Sequence, residues 1–111
     1  MLFELENSTL KITADEHGGE LKSVTSKKDG TEYLWNSDPT WWKYSAPVLF
    51  PIVGKLVNGK YRAEGKEFDL PGHGFARTSD FECVREDNNE IVFRLNWSDN
   101  HIIYAGPIGR R

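Results

Sequence analysis

The sequence has one cysteine, Cys83, in 111 residues. That excludes an intrachain disulfide and any cysteine-cluster metal site. Cys83 reads as a small apolar strand residue, since a reactive thiol would need a nearby cation or helix N-terminus. Basic runs are also missing. With 14 Lys and Arg against 17 Asp and Glu, the net charge is −3. That argues against a nucleic-acid partner and an anionic membrane surface, both of which call for a basic face. Long apolar runs are absent too. The longest, Ala46 to Gly54, is interrupted by Pro47 and Pro51 and is far shorter than the ~20 residues of a membrane span. The opening residues MLFELENSTL lack the basic start and apolar centre of a secretory signal. The expectation is a soluble, cytoplasmic protein of a reducing compartment, in which Asn7-Ser8-Thr9 and Asn96-Trp97-Ser98 match the glycosylation pattern by chance.

A helical period is largely missing as well, and alternation takes its place. Leu10, Ile12 and Ala14 alternate with Lys11, Thr13 and Asp15, and Ile91, Phe93, Leu95 and Trp97 alternate with Val92, Arg94, Asn96 and Ser98. Phe81 and Cys83 share one face, with Glu82 and Val84 on the other. Such runs place one side in a core and the other nearer water. Turn pairs punctuate them: Gly18-Gly19, Asp29-Gly30, Asn58-Gly59, Glu64-Gly65 and Asp87-Asn88-Asn89. Residues 60–63 and 66–70 therefore form a predicted hairpin around Glu64-Gly65. Short strands with frequent turns indicate an all-β sandwich or barrel. Aromatics, at 13%, are too frequent for a disordered chain.

Two segments depart from the pattern. Ser37-Asp38-Pro39-Thr40-Trp41-Trp42 reads as a helical turn with a polar cap and an early proline. Residues 46–54 read as a buried, extended segment near a sheet edge or a site wall, because their prolines remove them from a central strand. After Asp99-Asn100 the chain changes character. The division expected is residues 1–98 as sandwich and 99–111 as a divergent, loosely held tail.

The chemistry-bearing cluster is Leu70-Pro71-Gly72-His73-Gly74-Phe75-Ala76-Arg77. Glycine on both sides of His73 permits a tight backbone path and close approach of another group. His and Arg four residues apart on a loop can converge on a polar ligand, the His near neutral pH and the Arg through its fork of donors. On chemistry alone, a His that merely satisfies backbone groups is an equal reading. His17, before the Gly18-Gly19 turn, and His101, in the tail, read as surface residues.

The motifs occur in a definite order: Gly18-Gly19-Glu20-Leu21-Lys22-Ser23, Glu32-Tyr33-Leu34-Trp35, Asp38-Pro39 with Trp42, Ala46 through Leu56, then His73-Gly74-Phe75-Ala76-Arg77. In this order the chain resembles the N-terminal third of the aldose 1-epimerase family, in its galactose mutarotase-like branch. The resemblance implies part of a large antiparallel β-sandwich, a galactose mutarotase-like supersandwich with an open sugar cleft. It implies interconversion of the α and β anomers of an aldose such as glucose or galactose, with no metal and no organic cofactor. A base takes the anomeric hydroxyl proton while an acid protonates the ring oxygen, and the ring opens and recloses. By resemblance His73 contacts the sugar as a catalytic residue. Lys55 stands where the family commonly has a basic residue near the sugar hydroxyls. Arg77 either lines the cleft or braces its loop.

The family's principal acid, a His in a His-Pro segment, and its principal base, a late Glu, match nothing here. The resemblance thus implies a truncated, catalytically incomplete product. Its exposed sheet edges and apolar face imply marginal stability or self-association. Alternatives are a non-catalytic carbohydrate-binding module, with tryptophans as stacking faces, and a hexose-6-phosphate 1-epimerase. The second would need an arginine cluster that residues 46–48 do not supply.

Overall fold

The computed structural model describes residues 1–96. Trp97, the 99–111 tail and His101 lie outside the described residues, as does the Asn96-Trp97-Ser98 motif beyond its first residue. The fold is all-β with antiparallel sheets, and its only helical elements among the described residues are two short 3-10 turns.

The first sheet holds β1 (Leu2–Glu6), β2 (Leu10–Asp15) and β3 (Glu20–Ser26) in the order β1-β2-β3. The Asn7 side chain builds the first turn, its Oδ1 accepting from the Thr9 and Leu10 N–H groups at 2.8 Å each. At the second, Gly18 and Gly19 take φ of +79° and +56°, which side chains strain to adopt. A bulge between Thr13 and Ala14 shifts the register against β3. Burial along Leu10, Ile12 and Ala14 deepens from exposed to buried, so the alternation reads a real core face.

The hairpin predicted around Glu64-Gly65 is present as β4 (Lys60–Ala63) and β5 (Lys66–Asp69), with φ of +53° and +74° at the turn. Two left-handed residues in succession match the right-handed twist of the strands. The last hairpin is β6 (Glu82–Glu86) and β7 (Ile91–Arg94). It departs from the simple alternation. A bulge between Cys83 and Arg85 leaves Val84 without its expected place, and Phe81 precedes the strand. β7 stops at Arg94, so the run does not continue as strand through Leu95. Cys83 is half-buried and free.

The sheets meet through few contacts. Phe3 and Phe93 pack edge to face with centroids 5.4 Å apart, joining the first sheet to the last hairpin. A cavity of about 360 Å³ opens between them, lined by Leu5, Ile12, Ala14, Leu21, Ile91 and Phe93 among others. The β2–β3 turn is fastened to residues 79–81 by Gly18 N–H to Ser79 O (2.7 Å) and Phe81 N–H to Glu16 O (2.8 Å). A second apolar cluster, Leu70 and Phe75 with Ile52, Leu56, Tyr61 and Leu95, lies under the loop that carries His73.

The expected helical turn is a single turn: the Trp41 and Trp42 N–H groups both donate to Asp38 O, at 3.1 and 2.9 Å. The Asp38 carboxylate caps Thr40 N–H at 2.9 Å. Residues 46–54 form no strand, bending at Ala46, Pro51, Val53 and Gly54 with one bridge at Phe50, and they are not buried. Phe50 is 51% exposed and Val53 76%. Ile52 packs against the Leu70–Phe75 cluster, and the Phe50 and Phe75 rings meet edge to face with centroids 6.2 Å apart. Among the described residues no helix is long and apolar enough to cross a membrane, which says nothing of strands.

Candidate functional site

His73 sits at the third position of a tight turn closed by Gly74 N–H to Pro71 O at 2.9 Å. Its φ is +64°, a conformation usually left to Gly or Asn at such a position. Holding a histidine there costs on the order of 1 kcal/mol. The neighbouring Gly74 explains how the turn is held. A Cβ at Gly74 would lie 2.1 Å from Phe50 O, so only glycine lets the two backbones meet. Phe50 O then accepts from Phe75 N–H (3.0 Å) and Ala76 N–H (3.2 Å). The segment at 50–54 is thereby laced to the segment at 73–76.

The lacing is reciprocal at its far end. His73 N–H donates to Gly54 O at 2.8 Å, and Gly54 N–H donates to His73 Nδ1 at 2.9 Å. Since Nδ1 accepts, the neutral ring carries its proton on Nε2. Nε2–H has no partner among the described residues. His73 therefore does satisfy a backbone group, and that same bond leaves the other nitrogen as a defined, unused donor.

Lys55 follows Gly54 directly, and its side chain runs beside Gly72. A Cβ at Gly72 would meet Lys55 Cγ at 3.1 Å. The structure thus brings Lys55 and His73 to one loop pair. Lys55 is exposed and makes no ion pair among the described residues. Arg77 points to the other side of the turn. Its Nη2 donates to Gly72 O at 3.1 Å, and its guanidinium carbon lies 4.9 Å from the Tyr44 ring centroid. Both contacts tie Arg77 to its own loop and to Tyr44. Arg77 Nε and the Tyr61 hydroxyl are buried without partners among the described residues, and burial pushes the Tyr61 phenol up.

His17 is exposed and pairs with Asp80 at 2.8 Å, remote from the His73 turn in the hydrogen-bond pattern. The 360 Å³ cavity contains none of His73, Lys55 and Arg77. No group of three or more His, Cys, Asp or Glu suited to a metal occurs among the described residues. In the sequence Glu20 stands only within the Gly18-Gly19-Glu20-Leu21 motif, with nothing to mark it as a site residue. It is 5% exposed and binds the start of the 46–54 segment. A lone acidic residue at the head of a strand carries no signal of such a contact.

The comparisons agree with this architecture. Protein LacX (chromosomal) of Lactococcus lactis subsp. lactis is 38% identical over 100 residues, which are 86% of this chain and 33% of LacX. The solved structure of a galactose mutarotase related enzyme from Lactobacillus acidophilus superposes with a TM-score of 0.91 at 39% identity, over 93% of this chain and 34% of that one. A galactose mutarotase-like protein from Lactobacillus casei gives 0.89 at 34% identity, over 93% and 35%. The chain thus spans about a third of the length of these relatives. The family described as Aldose 1-epimerase matches residues 1–108. With that match over nearly the whole sequence, and the same backbone in two mutarotase-like structures, the chain belongs to the aldose 1-epimerase family.

Proposed function

We propose that this chain forms the His73 side of an aldose-binding cleft and presents Nε2–H of His73 to a sugar oxygen. The observation that carries the reading is the Gly54 N–H bond to Nδ1, which commits the other nitrogen to donation. A donor aimed before the ligand arrives binds without reorganising, which is how an oxygen developing charge during ring opening is best stabilised. Lys55 adds a second, mobile donor beside it, and Arg77 holds the turn from behind through Gly72 O. None of the three histidines is followed by proline. By the family resemblance, proton transfer to the ring oxygen and from the anomeric hydroxyl belongs to a His of a His-Pro segment and a late Glu, and on this reading the chain alone binds an aldose without turning it over.

Titration of D-galactose and D-glucose into the ¹⁵N-labelled chain tests this. Saturable shifts should centre on residues 54–55 and 72–74. Lys55→Met should weaken binding about 5-fold, or ~1 kcal/mol, one hydrogen bond's worth. His73→Ala should abolish it. Equal binding by His73→Ala, or no response to either sugar, would sink the reading. A phosphate-sugar reading gains nothing here, because residues 46–48 supply no arginine to stand beside Arg77. Self-association belongs to the same proposal: Trp41 is 77% exposed and Val57 85%. A single monomeric species in sedimentation across the micromolar range would remove that part.

A further inference from the structure

Among the described residues Glu20 is a buried charged side chain. Burying a carboxylate costs several kcal/mol unless hydrogen bonds and a counter-charge offset it. Here they converge on one oxygen. Glu20 Oε2 accepts from Ser45 N–H at 2.5 Å and Ala46 N–H at 3.1 Å, and Lys22 Nζ lies 3.5 Å away. Lys22 in turn donates to Ser37 Oγ at 3.0 Å, Ser37 Oγ meets Ser45 Oγ at 2.5 Å, and Ser45 Oγ donates to Trp35 O at 2.7 Å. A buried ion serving stability alone is often replaceable by apolar packing without loss. This one instead accepts from two consecutive N–H groups at a single place, those of Ser45, just before the 46–54 segment, and Ala46, its first residue.

That segment ends on His73. It has no strand pairing of its own beyond the Phe50–Gly74 bridge, and it is attached to the His73 loop at Phe50 O and at Gly54. Its other end is attached at Glu20. Gly54 N–H, which selects the His73 tautomer, is therefore placed by a strap fixed at both ends. We propose that Glu20 is a positioning residue for His73: by anchoring Ser45 and Ala46 it sets the strap's register, and through Gly54 it keeps His73 as the Nε2–H donor. The inference rests on the sugar-site reading for its purpose, though not for its physical content.

The test reads the ring nitrogens of His73 in long-range ¹H–¹⁵N spectra of the full chain, with the signals assigned by their loss in His73→Ala. The unsubstituted chain should show Nδ1 as the acceptor and Nε2 as the protonated nitrogen. Glu20→Asp keeps the charge but shortens the reach by one methylene, and Glu20→Ala removes the acceptor. Both should move His73 toward averaged tautomers and weaken sugar binding 3-fold or more. Glu20→Gln keeps an oxygen able to accept both N–H bonds, so it should restore the tautomer. An unchanged His73 signal in folded Glu20→Asp and Glu20→Ala overturns the proposal. So does failure of Glu20→Asp to fold, which would make Glu20 a pin for the whole fold. If the unsubstituted chain ignores sugars while the tautomer still follows position 20, the sugar reading falls and the positioning role stands.

Discussion

The first sheet and the His73 loop are held by different means. β1, β2 and β3 pair in ladders, with Leu2 opposite Asp15 through Glu6 opposite Lys11 and, apart from the bulge at Thr13/Ala14, Leu10 opposite Ser26 through Asp15 opposite Glu20. Losing one rung there leaves the others. The loop pair at 50–54 and 72–77 has no ladder. It hangs on Phe50 O, on the Gly54–His73 exchange and on a small apolar cluster. A ladder distributes its stability, whereas a lacing concentrates it in a few atoms. Catalytic and binding residues gain from the second arrangement, since irregular backbone can aim side chains that a pleat would alternate.

The largest effect should come from Gly74→Ala. Its Cβ would lie 2.1 Å from Phe50 O at a φ of +76°, so backbone must move. We expect a loss of more than about 3 kcal/mol in denaturant unfolding, with the His73 loop resonances collapsing first. A loss of less than 1 kcal/mol (roughly the cost of an ordinary substitution) would show that the lacing is not concentrated there. Next comes Leu70→Ala, the most buried large side chain at 2% exposed. It should cost about 2–4 kcal/mol. Val84→Ala, on the exposed bulge, should stay within about 0.5 kcal/mol by the same measurement. Equal effects at the two sites would erase the distinction between loop core and hairpin surface.

The smallest effect concerns acid. The Ser23 hydroxyl, then the Val24 N–H, hold the Glu32 carboxyl below its usual range, and the Asn96 amide, then Arg94, do so for Glu82. Both folded pKa values are depressed. Their stabilisation is thus present above the ordinary carboxylate pKa of about 4.3 and fades as pH falls through the lower folded values. A Glu32→Gln/Glu82→Gln double variant should lose less stability than the unsubstituted chain between neutral pH and pH ~3. The midpoint of acid unfolding by circular dichroism checks this, and parallel curves would remove both groups from the acid response. Because both carboxylates are exposed, the difference should be modest. It should also be confined to β3 and the last hairpin, leaving the His73 loop as it was.

The regular parts were legible because period-two alternation and turn pairs are local. Ile12 and Ala14 turn inward as their spacing implies, with Leu10 left exposed at the strand's start, and Glu64-Gly65 turns the hairpin because those two positions carry positive φ. The run of 46–54 misled for the same reason in reverse. Its apolar composition implies burial, but burial needs packed neighbours, and Val53 and Phe50 remain largely exposed among the described residues. The bulge at Val84 was equally invisible, since a one-residue slip in pairing depends on the partner strand.

For the site, the sequence by itself determined the residue types and their order: a His between two glycines, an Arg four later, a Lys after a glycine, and strands with turns to carry them. Those are properties of neighbours along the chain. Only the tertiary structure decided that Gly54 meets His73, that Arg77 turns back on Gly72 and Tyr44, and that Glu20 reaches Ser45 and Ala46. The Gly54–His73 bond and the two Glu20 bonds to Ser45 and Ala46 join residues 19 or more apart in sequence, where no local propensity acts. The hydrogen-bond geometry is created only when separate segments pack together.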